Sequence, residues 1–281
     1  MLSYRHAYHA GNHADVLKHF ILVQLLRYLG QKDKPFWFID THAGAGYYAL
    51  DAGRATQLAE HRTGIDRLWA RPDLPEALAD YVELVRQLNP DGLLRAYPGS
   101  PHFALKLTRS QDRLRLFELH SSDSRLLQDN FREAGGRVRV TAADGFTGLK
   151  ALLPPPPRRA LILIDPAFED KGDYRRVIEA LQDGLQRFPT GLYALWYPLL
   201  QRPEAQKLPA KLKALPAERW LNVSLTVHAR SADGFGMHGS GMYLINPPWI
   251  LPELLKETLP TLVAALGQDA AAGFSLEYDG L

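Results

Sequence analysis

The chain has 281 residues, 46% of them hydrophobic, enough to bury the core of one large α/β domain, with or without an insertion, and too apolar for a disordered tail. A net charge of +2 does not mark a nucleic-acid binder by composition, so any such surface must come from local clustering of the 33 lysines and arginines. The absence of cysteine excludes disulfides, thiolate metal sites and a cysteine nucleophile, and suits a reducing compartment. The first nine residues lack an apolar signal core and the run 20–26 is too short to span a bilayer, so a soluble cytoplasmic protein is expected.

In chain order, apolar residues at Val16, Leu17, Phe20, Ile21, Leu25 and Leu29 have the spacing of an amphipathic helix over 14–29, with Asn12 available as its cap. A β-run, Phe36-Trp-Phe-Ile-Asp40, comes next and breaks into Thr41-His42-Ala-Gly44-Ala-Gly46. Residues 51–96 read as helical with breakers at Arg71-Pro72 and Asn89-Pro-Asp-Gly92, which suggests an insertion between core segments 1–50 and 97–281. Strand patterns resume at 114–119, 138–141, 161–164 and 192–196, separated by helix-compatible stretches. That alternation predicts a mostly parallel, doubly wound sheet. The run 154–157 reads as a stiff polyproline connection. Near the end, 223–229 and 242–245 flank a glycine-rich loop, so a terminal antiparallel hairpin is expected on the sheet edge.

The Asp40 to Gly46 turn suits a nucleotide or nucleoside, because glycines let the backbone approach a ligand and a helix after the turn offers free N–H groups. Gly-x-Gly alone is a weak signal. A dinucleotide fold would add a third glycine and an acid about twenty residues later, whereas the best acid here is Glu118, delayed by the insertion. Gly234-Phe-Gly236-Met-His-Gly239 matches the dinucleotide pattern literally but leads into a strand, and is rejected as such a loop. Asp165-Pro166-Ala167-Phe168, at the end of an apolar strand, is suited to grip a planar amino-substituted base: an acceptor side chain and a backbone carbonyl take the two N–H bonds of an exocyclic amine, and an aromatic face stacks on the base. Asn246-Pro-Pro-Trp249 is nominally nearer the (Asp/Asn)-Pro-Pro-aromatic pattern of amino-group methyltransferases. Asp165 is preferred because its strand belongs to the parallel run whose carboxyl ends converge on one crevice, while Asn246 should lie at the opposite end of the sheet.

Glu118 at a strand end can accept hydrogen bonds from two ribose hydroxyls, and Asp144 can meet an adenine amine with Gly145 allowing close approach. A helix N-cap is the plain alternative for such an acid, as a satisfied core histidine is for His19. His6, His9 and His13 could share a helical face and bind zinc, but Gly11 and Asn12 interrupt the helix and no acidic second shell is evident. No metal is expected. A polar, partly cationic arm over the crevice is the preferred reading.

The segments Tyr4-Arg-His6, His9-Ala-Gly-Asn12-His13-Ala-Asp15-Val-Leu-Lys18-His19, Asp40-Thr-His42-Ala-Gly-Ala-Gly46, Tyr97-Pro-Gly-Ser100-Pro, Asp144-Gly145, Leu161-Ile-Leu-Ile-Asp165-Pro and Ala194-Leu-Trp-Tyr-Pro198 together resemble the bacterial ribosomal RNA large-subunit methyltransferase J family over nearly the whole chain. The resemblance implies a Rossmann-like fold with a helical insertion, and methyl transfer from S-adenosylmethionine to the N6 amine of one adenine in 23S rRNA. It further implies that His19, His42, Ser100, Glu118, Asp144 and Gly145 bind the cofactor and that Asp165 binds it and acts on the amine. Tyr4, Pro166 and Phe168 would then meet the substrate base. The family's Asp-Pro-Pro-Tyr is Asp-Pro-Ala-Phe here, which keeps a ring and loses a hydroxyl. A monomer is favoured, with no membrane partner. The same chemistry on DNA, a nucleotide-dependent oxidoreductase and a non-catalytic RNA-binding module are the alternatives.

Overall fold

The computed structural model describes residues 6–51 and 58–281. Asn12 caps helix α1 (His13–Gly30), its side-chain oxygen accepting from the Ala14 and Asp15 amides at 3.0 Å each. The helix is not amphipathic in place. Val16, Leu17, Leu22, Val23 and Leu26 are all fully buried, because α1 is wedged between the sheet and helices later in the chain.

Strand β1 (Trp37–Asp40) leads into the glycine turn, which gives way to a short strand, β2 (Tyr47–Ala49), rather than to the helix expected. A 3-10 turn (Glu60–Thr63) and helices α2 (Asp66–Trp69) and α3 (Glu76–Arg86) come next, and then β3 (Ala96–Pro98) pairs antiparallel with β2. The helix that an uninterrupted turn would have entered is α4 (Ser100–Leu107). The two short strands return the chain to its departure point, where the Gly99 amide donates to the Gly46 carbonyl at 3.1 Å. Tyr81 on α3 and Tyr97 on β3 meet hydroxyl to hydroxyl at 2.8 Å within the same apolar cluster as Phe20 and Phe38. The helices between β2 and β3 therefore share the main core.

The rest of the chain alternates β4 (Arg113–Phe117), α5 (Ser121–Asn130), β5 (Val138–Thr141), α6 (Gly145–Leu152), β6 (Ala160–Ile164), α7 (Asp173–Arg187), β7 (Leu192–Leu199) and α8 (Pro203–Lys213). It closes with β8 (Trp220–Thr226), β9 (Gly239–Ile245), α9 (Leu251–Leu266) and β10 (Gly273–Asp279). The eight-stranded sheet has the order β10-β8-β9-β7-β6-β1-β4-β5. Neighbours from β5 to β7 are parallel, while β9 opposes both β7 and β8. Alternate side chains feed the two faces: Phe38, Leu161 and Leu163 pack with α1, α4 and α9, and Ile39, Ile162 and Ile164 with α7 and α8. This is the Rossmann-like, doubly wound α/β architecture.

Three details differ from expectation. The β8–β9 hairpin is not appended at the edge: β9, buried along its whole length, inserts between β7 and β8. The edge is β10, which pairs antiparallel with β8. Residues 154–157 turn rather than run straight, the Arg158 amide donating to the Pro155 carbonyl at 2.8 Å.

Candidate functional site

The carboxyl ends of β1, β4 and β6 are in register, with Asp40 beside Leu116 and Leu163. The loops leaving them line a cavity of about 1030 Å³. It takes in His19, His42, Ser100, Glu118, Asp144, Gly145, Asp165, Pro166 and Phe168, which lie far apart in the chain and face one space. Tyr4 lies outside the described residues. Asn246 is at the other end of the sheet, its amide donating to the carbonyls of Pro189 and Gly191 before β7 at 2.8 Å each.

Asp40 is fully buried and pushed up to about 7 by desolvation, although the Ser100 hydroxyl donates to it at 2.6 Å and the His42 amide at 3.1 Å. Burial brings His42 down to about 4, so its ring is neutral, with Nδ1 on the Thr41 hydroxyl at 2.8 Å. His19 is likewise held neutral by burial and meets the Tyr97 hydroxyl at 2.8 Å. Both the ligand reading and the core reading of His19 describe a residue placed this way.

Glu118 accepts from the Gly44 amide at 2.9 Å and the His120 amide at 2.6 Å, tying the glycine turn to the end of β4. Burial, outweighing those bonds, raises its carboxyl above the ordinary value. Asp144 is the N-cap of α6, accepting from the Thr147 amide at 2.9 Å, and it pairs with Arg176 on α7. Burial opposes its charge, but the amide and the guanidinium prevail and hold it below the usual carboxylate range. Gly145 has no room for a side chain, since a Cβ there would stand 1.9 Å from the Thr41 carbonyl oxygen.

Asp165 is engaged by a side chain that the sequence patterns leave without a role. Lys18 Nζ lies 2.6 Å from Asp165 Oδ2 and 2.9 Å from Asp15 Oδ1, and Asp15 in turn binds His6 Nε2 at 2.9 Å. Burial works against the Lys18 charge, yet the two carboxylates outweigh it and raise its pKa above the ordinary value. Burial also raises Asp165, with Lys18 offsetting part of the rise. Burial works against the Asp15 charge, but His6 and Lys18 outweigh it and hold its carboxyl far below the usual range.

The N-terminal histidines therefore do have acidic partners: His6 on Asp15, and His9 on Glu60 at 2.8 Å. These two imidazoles go to different carboxylates, and no cluster among the described residues could hold a metal ion. Nor is the arm uniformly cationic. The Glu60 hydrogen bond raises His9, while burial takes His13 down to about 4.

Phe168 departs from its expected role. It borders the cavity with φ at +52°, a strained value for a non-glycine residue, but is only 1% exposed, its ring 4.8 Å from Tyr174 and 6.2 Å from Trp196 between centroids. A ring so enclosed has no open face for a base. Trp196, midway along β7, is partly exposed and also lines the cavity, with Lys18 Nζ 5.9 Å from its ring centroid.

Comparison with known proteins settles the kinship. Residues 33–278 match the family model described as "Ribosomal RNA large subunit methyltransferase D, RlmJ". The chain belongs to the ribosomal RNA large subunit methyltransferase J family. It is 48% identical over 266 residues to the protein of that name from Escherichia coli K12, covering 95% of this chain and 94% of that one. It is 45% identical over 279 residues to the Haemophilus influenzae protein of the same name, covering 99% of each. A crystal structure from Legionella pneumophila, 36% identical, superposes with a TM-score of 0.89 over 96% of this chain and 98% of that one.

As a methyltransferase of this family, the chain arranges its crevice in two chemically different halves. Around β1, β4 and β5 stand a neutral imidazole, His42, and two acids tied to backbone amides, Glu118 and Asp144, a set that can accept from hydroxyls and amines. Beyond β6 the buried Lys18 and Asp15 are packed against Asp165, whose carboxylate stays partly exposed. Lys18 and Asp15 were legible as a helical i, i+3 pair, but nothing local in the sequence points that pair at a residue 147 positions away. No helix among the described residues is long and apolar enough to cross a membrane.

Proposed function

We propose that the protein transfers a methyl group from S-adenosylmethionine to the N6 amine of one adenine in 23S rRNA, in the cytoplasm. The observation that carries the reading is Asp165: an acid at the carboxyl end of a central strand, followed by proline, in the crevice shared with Glu118 and Asp144, in a chain whose relatives are named for ribosomal RNA methylation.

The crevice suits a nucleoside methyl donor. The loops after β1 and β5 meet backbone to backbone at Gly145, leaving no side chain between them, and Gly44 takes φ of +60° on the cavity wall. Glu118 would hold the ribose hydroxyls, Asp144 and Gly145 the adenine, and His19, His42 and Ser100 would complete the seat. When bound, S-adenosylmethionine supplies an electrophilic methyl group on a sulfonium.

The chain's own residues do the positioning. Asp165 accepts one N–H of the target amine and the backbone around Pro166 the other, which turns the nitrogen lone pair toward the donor half of the crevice. Lys18 fixes the Asp165 carboxylate through one oxygen and leaves the other to the amine. As the nitrogen gains positive charge, that carboxylate stabilises it without having to be a strong base, because the amine becomes acidic only once alkylated. The target must leave its stack to reach Asp165; Phe168 supports the turn from within, and Tyr4 would approach from the arm.

Incubating the protein with methyl-labelled S-adenosylmethionine and either a 23S rRNA transcript or DNA of the same sequence tests this. Label should enter N6-methyladenosine in the RNA. Label in another nucleoside, or equal labelling of the DNA, would contradict it.

A further inference from the structure

The cavity extends along the sheet well past Asp165. In sheet order, Asp144, Glu118, His42 and Asp165 follow β5, β4, β1 and β6, while His228, on the same cavity wall, follows β8 beyond β7 and β9. Because β7 and β8 both oppose β9, they run in the same direction, and the end of β8 opens on the side of the sheet where Asp165 lies. With neighbouring strands ~4.8 Å apart, the three steps from β6 to β8 place this far end about 14 Å past Asp165.

Three elements build that end, each held by backbone or side-chain hydrogen bonds. The start of α1 meets the insertion, the Ile65 amide donating to the Gly11 carbonyl at 2.8 Å and Asn12 Nδ2 to Glu60 Oε2 at 2.9 Å. The segment leaving β8 is held by the Gln268 amide, which donates to the Val227 carbonyl at 2.7 Å. On this wall stands His13, 7% exposed, whose Nδ1 has no hydrogen-bond partner among the described residues. Its ring is neutral near pH 7 because burial lowers its pKa to about 4. A buried polar atom left without a partner is costly to keep, and none of the roles around Asp165 uses it.

We propose that this end of the crevice seats the nucleotide next to the target adenine, with His13 Nδ1 hydrogen-bonded to that nucleotide's ribose 2′-hydroxyl, so that RNA is told from DNA here. The inference rests on the methyl-transfer reading and adds the basis of its sugar selectivity. A 2′-hydroxyl both donates and accepts, so it satisfies the imidazole nitrogen in either tautomer. Phosphate fits the spot poorly. Glu60 is ionised, because hydrogen bonds from His9 and Asn12 outweigh its burial, and its charge disfavours a second anion beside it.

A 23S rRNA fragment carrying the target adenine, made all-ribose or with a single 2′-deoxy substitution at either neighbouring nucleotide, tests this on the full chain. The wild-type protein should lose about tenfold in kcat/KM with the deoxy sugar at one neighbour and little at the other, the scale of one hydrogen bond. His13→Ala should lose a similar factor on all-ribose RNA and nothing further on the deoxy fragment, with S-adenosylhomocysteine affinity unchanged. Wild-type indifference to both substitutions overturns the assignment with no variant needed, and a full deoxy penalty persisting in His13→Ala overturns it too. Failure of the wild type to methylate even the all-ribose fragment would bring down the functional reading and this inference together.

Discussion

Lys18 is the residue on which the crevice depends electrostatically. Its ammonium is the shared counter-charge of two carboxylates, the buried Asp15 and the partly exposed Asp165. Removing one partner of a buried ion pair leaves an uncompensated charge, so Lys18→Met should destabilise the fold by about 3 to 5 kcal/mol. Denaturant titration should show the deficit shrinking as pH falls, because Asp165, already raised by burial, would then protonate and shed the cost. A second expectation at this scale concerns Glu118. Its two oxygens each accept one backbone amide, and each keeps a lone pair for a sugar hydroxyl. Glu118→Ala should weaken S-adenosylmethionine binding by about 1.5 to 3 kcal/mol, read by calorimetry. Glu118 and Asp165 were legible in the sequence because an acid just past an apolar strand faces the crevice of a parallel sheet whatever the tertiary detail. Lys18 was not, since its role depends on how α1 crosses the sheet, and Phe168 was overread, since a turn motif does not say which way its ring folds.

Among elements, the decisive contact joins the loops after β1 and β5. Gly145 starts α6 directly against the Thr41 carbonyl, and a Cβ placed 1.9 Å from that oxygen cannot be absorbed by a flexible side chain. Gly145→Ala should therefore push the two loops apart, costing about 1 to 3 kcal/mol of stability, and should weaken cofactor affinity more than a change on the far face of α6. A thermal melt and a binding titration together check both parts. The strands of the parallel run were readable to within a residue or two at most ends: β1, β6 and β7 are nearly continuous apolar runs buried on both faces, and β4 and β5 alternate apolar residues with arginine. The helix expected after the glycine turn was misplaced because the chain leaves through β2, makes the insertion and re-enters through β3 before α4 begins. β10 went unread although Phe274, Leu276 and Tyr278 alternate. An exposed edge strand buries too little to stand out from its flanks.

For the whole molecule, buried histidines set the response to acid. Burial brings His13, His42 and His102 each down to about 4, below the ordinary 6.5, so each stays neutral in the fold while the unfolded chain takes up a proton. A lowered imidazole contributes stability that is present above its unfolded pKa and lost as pH falls toward its folded one. Asp40, raised to about 7, acts in the opposite sense, holding a proton that the unfolded chain releases above its ordinary value of 3.8. His19, held lower still by its burial, adds to the histidine side, while Asp165 and Glu118, raised by theirs, add to the side of Asp40; the imidazoles carry the larger shifts, so stability should fall as pH drops from 6 to 4.5. Denaturation midpoints measured across that window check the sign, and flat or rising stability would mean that the histidines are protonated in the fold.

The central claim is that Asp165, at the carboxyl end of β6, directs methyl transfer to an adenine amine of 23S rRNA. Nucleoside mass spectrometry of 23S rRNA from a strain lacking this protein, complemented in turn by the wild-type chain and by Asp165→Asn at equal soluble level, measures it most directly. One N6-methyladenosine should be absent from the deletion strain, return with the wild type and stay absent with Asp165→Asn. Full restoration by Asp165→Asn, or no change in N6-methyladenosine on deletion, would contradict it.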